Sequence, residues 1–297
     1  MEKGSWVAKA PLGQHARDKN RARFGFNRGE KPVSDNTDFI LQLVDWAGDL
    51  LGSATGVSMA LVRQDVAGLY EGAAVGTGVA HMLKSAARLF LTRSMAKREQ
   101  ERVGLVYGLA ALAIKERLEK GEQLRTDDFF ERNLTDRSES DEIAEAVLIA
   151  AQREHEERKL PYIAKLLAFV AFESEIDQGM ANYLVKLAST LTYRQYCLLE
   201  IANNCERYNL QPPGRLNLSQ RENASQIFAV LAECFELYRL GLVKFTAQFG
   251  LITKVEDMGL QAIALDVPMG AYLHLGMQLH EIAAEDVAKV ARLISAT

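Results

Sequence analysis

The chain of 297 residues has little proline, little cysteine, little net charge and no long apolar run. Three cysteines, Cys197, Cys205 and Cys234, show no CxxC spacing, so a disulfide framework is excluded and reduced, buried thiols are expected. A formal charge of −4 from 35 basic and 39 acidic side chains excludes a global field that would recruit nucleic acid. The longest apolar stretch with helical character, Leu105 to Ile114, is interrupted by Gly108. It falls well short of the roughly 20 residues that a span needs. The opening MEKGSWVAKAPLGQHARDK lacks an apolar core, so no secretory signal is expected. What the chain does have is 48% apolar and 25% charged residues, the balance of a soluble protein that buries a core.

Charge is unevenly spread. Residues 1–33 carry eight basic and three acidic groups, whereas residues 115–157 carry seven basic and fourteen acidic ones. The first tract, rich in Gly, Asn and Arg, cannot bury enough apolar area to order itself, so 1–34 reads as a basic flexible arm. Arg17, Lys19, Arg21, Arg23 and Arg28 are its candidates for docking onto an anion or an acidic partner; the plainer reading is a solvated tail.

No proline stands between Pro32 and Pro161, so helices there must be broken by glycine and polar clusters. A first helix is expected from about Ser34–Asn36, with Phe39, Ile40, Leu43, Val44, Ala47, Leu50 and Leu51 at helical spacing. Another should run from about Ala96 to Lys120 and end on Gly121 as a left-handed cap. The stretch LRTDDFFERNLTDRSESD reads as a loop. Beyond it Ile143, Val147, Leu148 and Ala151 form a stripe, Pro161 opens a helix, and Asp177–Ser189 forms the next. Thr192 with Gln195 and Ser219 with Glu222 have capping-box form, and Gly241 ends the helix that Ser219 begins. LVKFTAQFGLITKV suggests a short hairpin around Gln248–Gly250. Pro268 opens a helix, and a last one covers about Ala284 to Ile294. The fold class is mainly α and multihelical, with a small winged-helix-like β element near 242–265. The expected organisation is a basic arm (1–34), a Gly-striped helical module (35–135) and a multihelical module with the winged-helix-like end (136–297).

Two glycine series stand out: Gly48, Gly52 and Gly56, then Gly68, Gly72 and Gly76, each at i, i+4, i+8. Glycine in a helix costs about 1 kcal/mol relative to alanine. Such a loss is tolerable where backbones must approach closely. These six are the candidate helix-packing or assembly positions, with Arg63-Gln64-Asp65 as a polar turn between two helices. One reading packs this helical hairpin inside a soluble core. The other lets 46–83 meet a membrane or self-associate after a trigger, against the cost of Asp45, Asp49, Arg63, Asp65 and Glu71.

No catalytic signature appears. Glu154-His155-Glu156-Glu157 has neither HExxH nor ExxH spacing, and consecutive helical side chains diverge by about 100°, so a solvated charged face is expected. His274 and His280 read as core or surface histidines. Gly52–Gly56 is not GxSxG, and Gly76-Thr-Gly78 lacks a third phosphate-loop glycine. Asp127, Asp128 and Glu131 lack EF-hand spacing. No metal or cofactor is expected. The helix–helix–hairpin end resembles a winged helix. However, residues 219–297 carry six basic and nine acidic groups, and Glu222, Glu233 and Glu236 lie on the would-be reading helix. Protein contact or intrachain packing is the better use of such a module, and nucleic acid is not the expected partner.

The runs EHEERKLPYIAKLLAFVAF, ANYLVKLASTLTYRQYCLLEI and ELYRLGLV resemble the helical modules of uncharacterised bacterial proteins. At greater distance they are similar to the Abi-alpha type of abortive-infection proteins linked with phage defence. The resemblance covers about residues 140–243, carries over no functional residue, and implies a bacterial, cytoplasmic, non-catalytic role in defence. The expectation is a cytoplasmic interaction or self-assembly protein that binds a protein partner or itself, with membrane-peripheral contact only under a trigger. The alternatives are a membrane-active effector using 46–83, a nucleic-acid-binding regulator using the arm and the winged-helix-like end, and an enzyme whose site the sequence conceals.

Overall fold

The computed structural model describes residues 35–47, 50, 58–71, 77–134, 136–208, 210, 224–245, 263–266 and 268–295. Eleven α-helices run through them: α1 (Asp35–Asp45), α2 (Met59–Glu71), α3 (Thr77–Leu91), α4 (Lys97–Glu119), α5 (Glu139–Arg153), α6 (Leu160–Val170), α7 (Gln178–Thr190), α8 (Tyr193–Asn203), α9 (Ala224–Arg239), α10 (Met269–Gly276) and α11 (Ala284–Ile294). Strands β1 (Val243–Phe245) and β2 (Ile263–Leu265) pair antiparallel, with Lys244 opposite Ala264. The protein is mainly α, as its periodicity predicts.

Local chemistry sets many of the boundaries. α4 stops where Gly121 adopts φ +84°, and α9 stops before Gly241 at φ +69°, conformations that cost glycine little. The Thr192 hydroxyl accepts the Gln195 amide at 3.1 Å while the Gln195 side chain returns to the Thr192 amide at 2.8 Å. Ser138 and Asp141 close an equivalent box on α5. Asp177 caps α7 through the Met180 amide, and Pro161 sits in the first turn of α6. The second capping box expected, at Ser219, lies outside the described residues.

α4 is the axis of one half, packed by α2, α5 and α6, with α3 and α7 against α5. α6 is buried over almost its whole circumference, and α10 packs on its other side. α8, buried from Gln195 to Ala202, is the axis of the other half, against α9, α11 and β2. The described residues from Asn36 onward belong to one compact unit. The boundary expected at 135/136 separates no cores, because α3 and α4 bury their apolar faces against α5 and α6 across it.

One expectation about turns is corrected. Arg63-Gln64-Asp65 is not a turn but the middle of α2, where Arg63 Nη1 reaches Asp45 of α1 at 2.5 Å and Asp65 accepts Lys115 Nζ of α4 at 2.8 Å. These cross-helix ion pairs satisfy the polar groups in helical geometry. The turn expected at Gln248–Gly250 lies outside the described residues, and the strand from Val243 has a described partner further along the chain. Its partner is Ile263–Leu265, because that register lets Val243, Phe245 and Ile263 face the core together.

Candidate functional site

The glycine positions are resolved first, since close packing was their expected purpose. Gly48, Gly52, Gly56, Gly72 and Gly76 lie outside the described residues, as do Arg17, Lys19, Arg21, Arg23 and Arg28. Gly68 is described, and a Cβ built there meets nothing within 4 Å among the described residues. The expectation that Gly68 lets two main chains of this fold touch is therefore corrected: it lies on the outer face of α2, beside the exposed Leu61 and Gln64. Close approach falls to other glycines. A Cβ at Gly104 would enter contact distance of the Leu43 carbonyl oxygen and stand 2.7 Å from the Ala47 amide. One at Gly270 would strike the Leu242 carbonyl, and one at Gly276 would stand 2.6 Å from the Phe169 ring. Gly78 is closed by Phe130 at 2.6 Å, and Gly108 abuts Val62 at 3.2 Å.

The solvated face expected at 154–157 is corrected at Glu154. His155 is 88% exposed, but Glu154 and Lys159 are the opposite of a solvated face. Their side chains are 3% and 2% exposed and form an ion pair of 2.5 Å, with the Lys159 ammonium also donating to the Ser189 carbonyl at 3.0 Å. The chain breaks after Arg153 and re-forms as a 3₁₀ turn at 157–159, which turns Glu154 and Lys159 inward. Asp127 is occupied by Arg125, whose guanidinium holds the carboxyl below its usual range. His274 is buried against Glu200, Nε2 to Oε2 2.6 Å, and His280 is exposed. Among the described residues no group of three or more His, Cys, Asp or Glu could hold a metal ion.

The principal concavity is a cleft of about 770 Å³ between four segments. Its apolar wall comes from Leu109, Leu112 and Ala113 of α4, facing Pro161 and Tyr162 of α6. Tyr193, the first residue of α8, and residues 278–286 close the other side. Three helix starts thus converge, and each brings a polar group. Asp286 lies in the first turn of α11, where the helix dipole favours a carboxylate. It accepts the Tyr193 hydroxyl at 3.2 Å, the Arg158 guanidinium, and the Lys289 ammonium at 3.2 Å. Arg158 lies over the Tyr193 ring, Cζ to centroid 4.4 Å, a cation–π arrangement. Tyr162, Tyr193 and Tyr196 cluster there in tilted and edge-to-face contacts, with centroids 6.0–6.5 Å apart. Lys165 pairs with Glu281, and Glu157 is shared by Arg98 and Arg102.

Electrostatics fix the protonation of these groups. Burial pushes the Tyr193 and Tyr162 hydroxyls upward, so both are neutral over the working range of pH. Burial also raises the Cys197 thiol behind them to about 12, which leaves it protonated and unreactive. For Glu157, burial opposes ionisation, but the guanidiniums of Arg98 and Arg102 outweigh it and hold the carboxyl below its ordinary range. The cleft thus offers an apolar centre with a rim of both signs, already bonded into the fold. Its lining holds four basic and five acidic side chains, so no single sign dominates.

Sequence reasoning singled out none of these residues as a site. Arg158 and Asp286 are 128 positions apart, and no local spacing joins them. The one signal present was an aspartate in the first turn of a legible helix.

On the acidic face of α9, Glu233 accepts Arg194 at 2.7 and 2.8 Å and Glu236 accepts Gln195 at 2.8 Å, so both are used within the chain. Among the described residues no helix is long and apolar enough to cross a membrane. No protein-family model matches the chain, and neither does any curated protein or solved structure.

Proposed function

We propose that this chain is a non-catalytic interaction protein of the cytoplasm, and that the cleft between α4, α6, Tyr193 and residues 278–286 receives a segment of a protein partner. The observation that carries this reading is the composition of the cleft: an apolar strip rimmed by paired charges of both signs. An apolar centre with a polar rim is the anatomy of protein contact surfaces. Nucleic acid or an anionic bilayer calls for a surface of one positive sign, which nearly balanced lining residues do not provide. The cleft's volume lies within the roughly 300–1,000 Å³ usual for binding sites. A role in phage defence rests on the sequence resemblance alone and belongs to the same proposal.

The test displays a random 12-residue peptide library to the purified chain and to Ala113→Trp, which fills the apolar strip. Duplex DNA and anionic vesicles serve as parallel probes. Peptides carrying both signs should be enriched on the native chain and lost on the variant. Enrichment that survives Ala113→Trp, or cleft-dependent binding of DNA or vesicles alone, overturns the reading.

A further inference from the structure

Where α3 crosses the start of α5, a buried carboxylate oxygen stands without a partner. Asp141 is 3% exposed, and its Oδ2 accepts the Ser138 amide at 3.2 Å in the capping box. Among the described residues its Oδ1 has no hydrogen-bond partner. The nearest cationic candidate is the His81 ring of α3, with Nδ1 at 3.8 Å, beyond the roughly 3.2 Å reach of an N–H···O bond. The other ring nitrogen, Nε2, touches the Arg132 guanidinium. A guanidinium has only donors, so Nε2 must be the acceptor there and His81 is neutral, with its proton on Nδ1.

We propose that His81 is a proton-operated switch that exchanges the Arg132 loop for the α5 N-terminus. Proton uptake at Nε2 turns the acceptor into a donor that faces another donor. Arg132, half exposed and bonded to Asp136 at 2.7 Å, then leaves the ring. The imidazolium gains a charge-assisted bond to Asp141 after closing by roughly 1 Å, and the orphaned oxygen is satisfied. Low pH therefore tightens α3 onto α5 and releases the 131–136 loop. High pH does the reverse.

The charges around His81 come from each neighbouring element. Arg132 and Asp136 come from the loop and Asp141 from α5, and Lys84 follows one turn along α3 itself. The 128–130 turn, packed on Gly78 through Phe130, brings the exposed Asp128. α4 offers Tyr107, whose hydroxyl is bonded to the Leu83 carbonyl at 3.0 Å. Glu145 on α5 is held by Arg93 and Arg137 in a separate cluster. Among the described residues, Arg132 at Nε2 and Asp141, 3.8 Å from Nδ1, face the imidazole from opposite sides, and these two compete for it. The device stands apart from the cleft and does not depend on what the cleft binds.

Side-chain NMR of the full chain between pH 5 and 8.5 tests it, with the His81 signal assigned by its loss in His81→Gln. The His81 resonance should titrate at lower pH in Asp141→Asn than in the native chain, and at higher pH in Arg132→Ala. Backbone amides of 131–136 should shift with the same midpoint as His81 and lose that step in His81→Gln. Arg132→Ala alters a half-exposed side chain, so it decides the matter even where Asp141→Asn is too destabilised to study. Equal midpoints in native chain and variants, or a loop titration that persists in His81→Gln, overturns the proposal.

Discussion

Replacing Lys159 by methionine removes the ammonium from a pocket where water cannot take its place. The side chain is 2% exposed, and its two polar partners are Glu154 at 2.5 Å and the Ser189 carbonyl at 3.0 Å. Methionine keeps most of the aliphatic volume and can pack on the Tyr196 ring, which now lies 5.7 Å from the ammonium. What it leaves behind is a buried carboxylate with one charge and no counter-charge. Breaking a buried pair in this way costs about 3–5 kcal/mol. The lost bond to Ser189 contributes about 1 kcal/mol of that. Glu154 retains one contact, the Glu156 amide on Oε1 at 2.8 Å, which places the expected loss toward the lower half of the range. Adding Glu154→Gln removes the stranded charge, so the double variant should recover to within about 2 kcal/mol of the native chain. Urea unfolding at pH 7 reads both, as a shift of midpoint at constant slope. A loss below about 1 kcal/mol for Lys159→Met, or simple additivity in the double variant, would show that the charges are solvated and refute the burial argument.

Three further outcomes are expected. Gly68→Ala should stabilise the protein by about 0.5–1 kcal/mol, raising Tm by about 1–2 °C, because alanine is the better helix former and the described residues leave the site open. Gly104→Ala should destabilise it by about 2 kcal/mol or more, since the methyl group would meet the α1 backbone; thermal melts of the two variants moving in the same direction would contradict the packing described. His274 is held below its usual range by burial, which outweighs the Glu200 hydrogen bond. The unfolded chain then binds the proton more readily, so stability is intact above about pH 6.5 and declines as pH falls toward the lower folded value. His274→Gln should remove that slope from the denaturation profile. Native-state labelling with an aromatic disulfide at pH 8 should modify Cys205, which is partly exposed, well before Cys197 and Cys234. Both of those thiols are buried and raised to about 12, and equal labelling of all three would sink the assignment.

Much of the helical framework was legible because it rests on interactions within a few residues. Periodicity placed α4 and α11 almost to the residue, and Gly121, Gly241, Asp177 and the Thr192 box marked ends by backbone chemistry that needs no partner from elsewhere. The tertiary structure alone decided which glycines serve close packing. Gly104 and Gly68 look alike in sequence, yet one meets a neighbouring backbone and the other meets nothing. It also decided which charges are buried. Glu154 and Lys159 lie in a run that reads as solvated, and only the break after Arg153 turns them inward. The same holds for the cleft, where Arg158, Tyr193 and Asp286 come together from three segments far apart in the chain. Helix propensity and capping act over one turn, whereas burial and ion pairing depend on which elements meet, and spacing along the chain does not contain that.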